Sequence, residues 1–184
     1  MCGIAGLVSL KDGQDITGKI RAMIATIPHR GPDGEGLLVH ENVALGHRRL
    51  AIIDLTEDAA QPMASPSGEL VLSFNGEIYN YVELRAELAA KGRHFRSESD
   101  TEVLLQAYDE WGDGCVEKFN GMWSFAILDK RNNRLFCSRD RFGEKPFYFL
   151  QKMDGFYFGS EIRQLLPLCE ARTANRDLLN RFLL

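Results

Sequence analysis

The chain has 184 residues, 45% of them hydrophobic and 26% charged, with a formal charge of −4. That balance describes one soluble globular domain and gives no electrostatic reason to expect nucleic acid or an anionic membrane as a partner. No apolar run reaches the length of a membrane span, and Met1-Cys2-Gly3 lacks the basic start of a signal peptide.

The four cysteines (Cys2, Cys115, Cys137, Cys169) lie far apart with no C-x-x-C pair, and the four histidines come with no acidic cluster. A zinc site is therefore not expected, and a reducing cytoplasm is the expected setting. Removal of Met1 is favoured when the second side chain is small, as Cys2 is. The mature chain would then carry a thiol and a free α-amine on one residue, a nucleophile with its own general base. Both groups titrate near neutrality in their ordinary states. The plain alternative for Cys2 is a small buried residue at the start of a strand.

Residues 3–9 and 36–49 are rich in Val, Ile, Leu and Gly and read as strands. Between them, Ile20, Met23, Ile24 and Ile27 recur at helical spacing. Arg48 and Arg49 follow an apolar stretch, so strand alternation turns one of them inward. A buried guanidinium needs a carboxylate, either a substrate's or an internal one such as Asp54 or Asp33. Leu70–Phe74 reads as a short strand that stops at Asn75-Gly76. There a side-chain amide and an unobstructed backbone N–H sit side by side as oxyanion donors, although Asn-Gly is also a common hairpin turn. Glu77 then leads towards a helix bearing Leu84 and Leu88, with Gly92 as its stop.

A further helix runs from Thr101 to Trp111, with Asp100 as its expected N-cap, and closes at Gly112. Asp100 also has the right charge to hold a substrate ammonium. Met122–Leu128, Arg134–Ser138, Pro146–Gln151 and Phe156–Gly159 read as strands, with turns at Asn132-Asn133, Phe142-Gly143 and Asp154-Gly155. The first of these strands barely alternates, which predicts cover on both faces. Asp140-Arg141-Phe142-Gly143 has the look of a kinase magnesium motif but lacks its companion loops. A short helix over 161–166 ends at Pro167, and Asp177–Leu184 starts an amphipathic helix. That helix either packs on this core or leads into a further domain. Strands, then helices, then an antiparallel meander make an α+β fold, with helices on the outer faces of two stacked sheets.

The stretches Met1-Cys2-Gly3-Ile4-Ala5-Gly6, His29-Arg30-Gly31-Pro32-Asp33, Arg49-Leu50-Ala51-Ile52-Ile53-Asp54 and Gln61-Pro62-Met63 occur in that order. They are followed by Phe74-Asn75-Gly76-Glu77-Ile78-Tyr79-Asn80, Ser99-Asp100-Thr101-Glu102, Asn120-Gly121-Met122-Trp123, Arg139–Pro146 and Ser160-Glu161. The ordered set resembles the N-terminal glutaminase domain of glutamine-hydrolysing asparagine synthetases. That family belongs to the class II glutamine amidotransferases of the N-terminal nucleophile hydrolase type.

The resemblance implies a four-layer αββα sandwich of two mostly antiparallel sheets over residues 1–184. It implies that L-glutamine is hydrolysed through a Cys2 thioester, with Asn75 and Gly76 as the oxyanion hole. Arg49 would clamp the α-carboxylate, Asp100 with Glu77 would hold the α-ammonium, and Leu50, Ile52 and Ile53 would line the pocket. No cofactor or metal is expected in this domain. ATP and Mg belong to a C-terminal synthetase domain that the chain lacks, so the ending at Leu184 reads as a truncation. The resemblance leaves a homodimer of the full-length protein open, and the ammonia acceptor too.

Overall fold

In the computed structural model, which describes residues 1–169, 173 and 176–183, two antiparallel sheets lie face to face between two helical layers. The first sheet has the order β2 (Gly34–His40), β3 (Val43–Arg49), β1 (Gly3–Ser9), β9 (Gly155–Gly159), β8 (Tyr148–Lys152). The second has the order β4 (Met63–Ala64), β5 (Leu70–Ile78), β6 (Gly121–Asp129), β7 (Arg134–Arg139).

Period-two alternation builds the layers. Ile4, Val43 and Leu45 of the first sheet meet Val71, Ala126 and Leu128 of the second in a shared core. The opposite side chains of β1, Ala5 and Leu7, pack with Ile20, Met23 and Ile24 of α1 (Ile16–Ala25). On the far side, Leu72, Phe74, Phe125 and Ile127 pack against Leu84 and Leu88 of α2 (Tyr81–Ala90) and Leu104 of α3 (Asp100–Trp111). The result is the expected αββα sandwich, and β6 is covered on both faces as its lack of alternation predicted.

Several strand and helix boundaries differ from the sequence reading by a residue or more. Residues 36–49 form a hairpin, β2 and β3, reversed at Glu41-Asn42, where Glu41 adopts φ +49°. The flanking residues are apolar on both sides, which hid the turn. β5 does not stop at Phe74 but continues through Asn75-Gly76 to Ile78, because β6 pairs with it throughout, from Leu70↔Asp129 to Ile78↔Gly121. The N-cap of α3 is Ser99, whose hydroxyl accepts from the Thr101 N–H at 3.1 Å, and Asp100 is the first helical residue. β8 starts at Tyr148, two residues later than read.

Two short helices, α4 (Cys115–Lys118) and α5 (Ile162–Leu165), complete the outer layers, and α6 (Arg176–Leu183) closes the described chain. On α6, Leu178, Leu179 and Phe182 are 60%, 48% and 85% exposed, so this helix is not buried in the domain core. Leu184, at the end of the expected helix, lies outside the described residues. No helix among the described residues is long and apolar enough to cross a membrane.

Candidate active site

The register of the first sheet decides what stands beside the N-terminus. Gly3 pairs with Arg48, so one step further Cys2 faces Arg49 across the β1–β3 ladder. Alternation then assigns the two arginines. Val43, Leu45 and therefore His47 and Arg49 face the second sheet, while Arg48 pairs with Glu35 of β2 at 2.6 Å.

Arg49 has no carboxylate partner among the described residues. Its Nη2 donates to the backbone carbonyls of Asp54 (2.7 Å) and Thr56 (2.8 Å). The alternative of an internal Arg–Asp pair is not found among the described residues, since the Asp33 carboxylate accepts from the Ala51 N–H and that of Asp54 from Thr56 and the Glu98 N–H. A guanidinium with no carboxylate bonded to it beside a cleft is a receptor for an anionic group.

Cys2 Sγ is bracketed by one residue. It accepts from the Leu50 N–H at 3.4 Å and lies 3.5 Å from the Leu50 carbonyl. Burial pushes its thiol above the ordinary range, opposed by the Leu50 N–H, the positive N-terminus and Arg49. The Cys2 carbonyl accepts from Arg30 Nε at 3.0 Å, and Arg30 pairs with Glu161 at 3.0 Å. Cys2 is thus held from both sides. The thiols of Cys115 and Cys137 are each pushed to about 12 by burial, which leaves them inert.

The opposite wall comes from β5. Asn75 is 1% exposed, and its Nδ2 has no hydrogen-bond partner among the described residues. A buried donor left unpaired costs stability, of order 1–3 kcal/mol, so its retention points to use by something that binds. Gly76 supplies a second donor through strand geometry. The outer β5 residues bonded to β6 are odd-numbered, as the Tyr79 N–H to Asn120 carbonyl (2.7 Å) and Lys130 N–H to Glu69 carbonyl (2.9 Å) bonds show.

Even-numbered N–H groups of β5 therefore point off the other edge. That of Phe74 is taken by Gln61 Oε1 at 2.6 Å, and that of Ile78 by Asp100 Oδ2 at 3.0 Å. Between those two capped positions, the Gly76 N–H opens onto the cleft. No side chain fits at Gly76, where a Cβ would lie 2.3 Å from the Met122 carbonyl oxygen and 2.5 Å from the Phe74 ring.

Asp100 is buried at the start of α3, and desolvation raises its carboxyl to about 6, with the nearby Glu77 adding to the rise and the Ile78 N–H opposing it. A cationic group bound here would relieve that cost. Cys2, Arg49, Leu50, Ile52, Ile53, Asn75, Gly76, Glu77 and Asp100 all line one cleft of about 180 Å³, so every site residue read from the sequence converges on it. Ile52 stands at the rim, 69% exposed. With Arg49 at one side and the Glu77–Asp100 pair at another, the cleft is complementary to a small zwitterion.

Several further residues line the cleft without having been expected there from the sequence, among them Ala59, Thr101, Met122, Gln61 and Lys145. Gln61 and Lys145 fall in the matched stretches, but only the fold brings them to the cleft. Among the described residues no group of three or more His, Cys, Asp or Glu is placed to hold a metal ion.

Residues 1–184 match the family described as glutamine amidotransferase domain. The chain is 43% identical over 188 residues to asparagine synthetase [glutamine-hydrolyzing] 3 of Bacillus subtilis, covering 99% of this chain and 30% of that protein. It is 40% identical to putative asparagine synthetase [glutamine-hydrolyzing] 2 of Methanocaldococcus jannaschii, over 92% of this chain and 36% of that protein. The chain thus spans about a third of the length of these curated relatives. Among solved structures, glutamine phosphoribosylpyrophosphate amidotransferase of B. subtilis superposes with a TM-score of 0.77 at 20% identity, over 89% of this chain and 43% of that one. That likeness is one of fold, the αββα sandwich of two antiparallel sheets.

Proposed function

Because the chain belongs to the glutamine amidotransferase domain family, we propose that its cleft hydrolyses L-glutamine to glutamate and ammonia through a thioester on Cys2. The observation that carries the reading is the convergence of the Cys2 thiol, an Arg49 with no bonded carboxylate among the described residues, unspent donors at Asn75-Gly76 and a desolvated Asp100 in one cleft.

Glutamine's α-carboxylate would sit on Arg49 and its ammonium on Asp100 and Glu77, which directs the side-chain amide towards Cys2. Once Met1 is removed, Sγ attacks the amide carbon and its proton passes to the Cys2 α-amine. The oxyanion is held by Asn75 Nδ2 and the Gly76 N–H. When it collapses, the C–N bond breaks and the amine returns its proton to the leaving ammonia. Water then attacks the thioester, the amine takes a proton from it, and glutamate leaves as Sγ is reprotonated. The reading asks for no metal or nucleotide in this cleft.

We infer that, where this domain is joined to an asparagine synthetase segment as the names of its relatives imply, the ammonia feeds that segment, with ATP and Mg used there and not in this cleft. An acceptor other than aspartate would leave every residue of this cleft unchanged. Met1 itself lines the cleft, so a chain that retains it would bind without turning over.

The test is glutamate release from glutamine by protein whose loss of Met1 is verified by intact mass. Steady release that disappears in Cys2→Ala is the expected result. Equal rates in the two proteins would overturn the reading.

A further inference from the structure

Lys145 is a cation buried where the reading above gives it no task. It is 6% exposed and lines the cleft, and no carboxylate lies within ion-pair reach of its Nζ among the described residues. Burying an ammonium without a counter-ion is costly, and a flexible lysine in a loop would ordinarily turn its head to water.

This loop is not free to let it. Between β7 and β8 the chain turns around Asp140, whose carboxylate accepts from the N–H groups of Trp123 (3.3 Å), Phe142 (3.1 Å), Glu144 (2.8 Å) and Lys145 (2.9 Å). Arg139 fastens the same loop from outside, its Nε to the Lys145 carbonyl and its Nη2 to the Gly143 carbonyl, each at 2.6 Å. The Lys145 backbone is therefore fixed, and its Nζ reaches the Met1 sulfur at 3.5 Å. When Met1 leaves, that ammonium faces the space opened next to the new N-terminus.

We propose that Lys145 is a positioning residue whose charge keeps the α-amine of Cys2 in its free-base form at neutral pH. The inference rests on the proposed role of that amine as the general base. A like charge disfavours the protonated amine and lowers its pKa. The other charged groups around the N-terminus pull in both directions. Arg49 from β3, and Arg30 through its bond to the Cys2 carbonyl, act with Lys145. Glu77 of β5, Asp100 of α3 and Asp54 of the segment after β3 act against it, as does Glu161 behind Arg30. Lys145 offsets the two carboxylates that the substrate ammonium requires, so the same cleft can bind a cation and still keep its base unprotonated.

The experiment is an NMR titration of the processed chain, labelled with 13Cα,15N-cysteine, following the Cys2 Cα signal. In Lys145→Met the amine's midpoint is expected to rise by roughly half to one pH unit, and Lys145→Arg should titrate as the wild type does. The acid limb of kcat/KM for glutamine should move by the same amount. A Lys145→Met midpoint equal to wild type would overturn the proposal, as would Lys145→Arg shifting as far as Lys145→Met. If Lys145→Met fails to fold, Lys145→Gln carries the same comparison with a polar head. The titration needs no turnover, so an inactive wild type would defeat the glutaminase reading without touching this measurement.

Discussion

The two walls of the cleft are built by different physics. The β5 wall carries Asn75, Gly76 and, through the Ile78 N–H, Asp100. It is paired along its whole length to β6 and backed by the core of Phe74, Trp123 and α3. The facing wall, from Arg49 to Thr56, has no regular structure beyond the end of β3. It is tied by Arg49 to the Asp54 and Thr56 carbonyls, by Asp33 to the Ala51 N–H, and by the Asp54 carboxylate to Thr56 and the Glu98 N–H. Donors that stabilise a transition state must not move at the moment of reaction, and they sit on the sheet. Groups that recognise the ends of the substrate can sit on a segment held by polar ties, which opens at lower cost.

Breaking the rigid wall should therefore cost rate, and the largest effect is expected at Asn75. Asn75→Ala should lower kcat for glutamine by about 10²–10³-fold with KM little changed, because the lost bond forms only in the transition state. Its melting temperature should not fall below that of wild type, since the change removes a buried donor that has no partner among the described residues and whose desolvation costs the fold stability. A variant that keeps its rate, or loses it only by unfolding, would place the oxyanion elsewhere. On the other wall, Arg49→Lys should raise KM by about tenfold or more while kcat falls less, as a point charge replaces a two-pronged donor. An unchanged KM would refute the carboxylate clamp.

Asp100 joins the two behaviours, being rigidly held yet assigned to recognition. With its carboxyl near 6, the anion that binds the ammonium is present above that pH and lost below it. KM should therefore climb as pH falls below about 6, separately from the loss of kcat that protonation of the Cys2 amine brings, and Asp100→Asn should abolish the limb in KM while leaving the one in kcat. The sign for stability is the reverse. A carboxyl raised above its ordinary value contributes stability at low pH that is lost as pH rises through the folded value. Asp100→Asn should accordingly be more stable than wild type at pH 7 by roughly 1–3 kcal/mol, read from denaturant unfolding, while binding glutamine poorly. A less stable variant would mean that the anion is satisfied in the free protein.

The difference between the walls also explains which parts were legible in the sequence. Alternation around Arg48-Arg49 required one inward guanidinium, and the absence of alternation in 122–128 announced a strand covered on both faces. Both are local patterns. The continuation of β5 past Phe74 was hidden because Asn, Gly and Glu are poor strand formers, and only pairing with a strand more than forty residues away holds them extended. The roles of Gln61 and Lys145 were hidden for the same reason. Gln61 serves as an edge cap for Phe74, and Lys145 reaches across 144 positions to Met1. The N-cap of α3 lies one residue earlier than the pattern suggests, at Ser99, and the Asp100 carboxylate, bonded to the Ile78 N–H, lines the cleft.

The smallest effect expected is at Asp54, and it separates loop order from direct contact. Its carboxylate accepts from the Thr56 N–H (2.8 Å), the Thr56 hydroxyl (2.7 Å) and the Glu98 N–H (3.0 Å), and these bonds hold it below the usual carboxylate range. None of them touches the oxyanion donors, so Asp54→Ala should leave kcat within about twofold of wild type. The loop that presents the Asp54 and Thr56 carbonyls to Arg49 would lose its internal ties, and the guanidinium would be held less often in its clamping pose. KM should rise by only a few fold, at a cost of order 1 kcal/mol. Amide exchange over residues 51–56 should quicken, while that of Asn75 to Ile78 should stay as in wild type. Faster exchange on both sides of the cleft would mean that the two walls open as one unit, and the division of labour between them would fall.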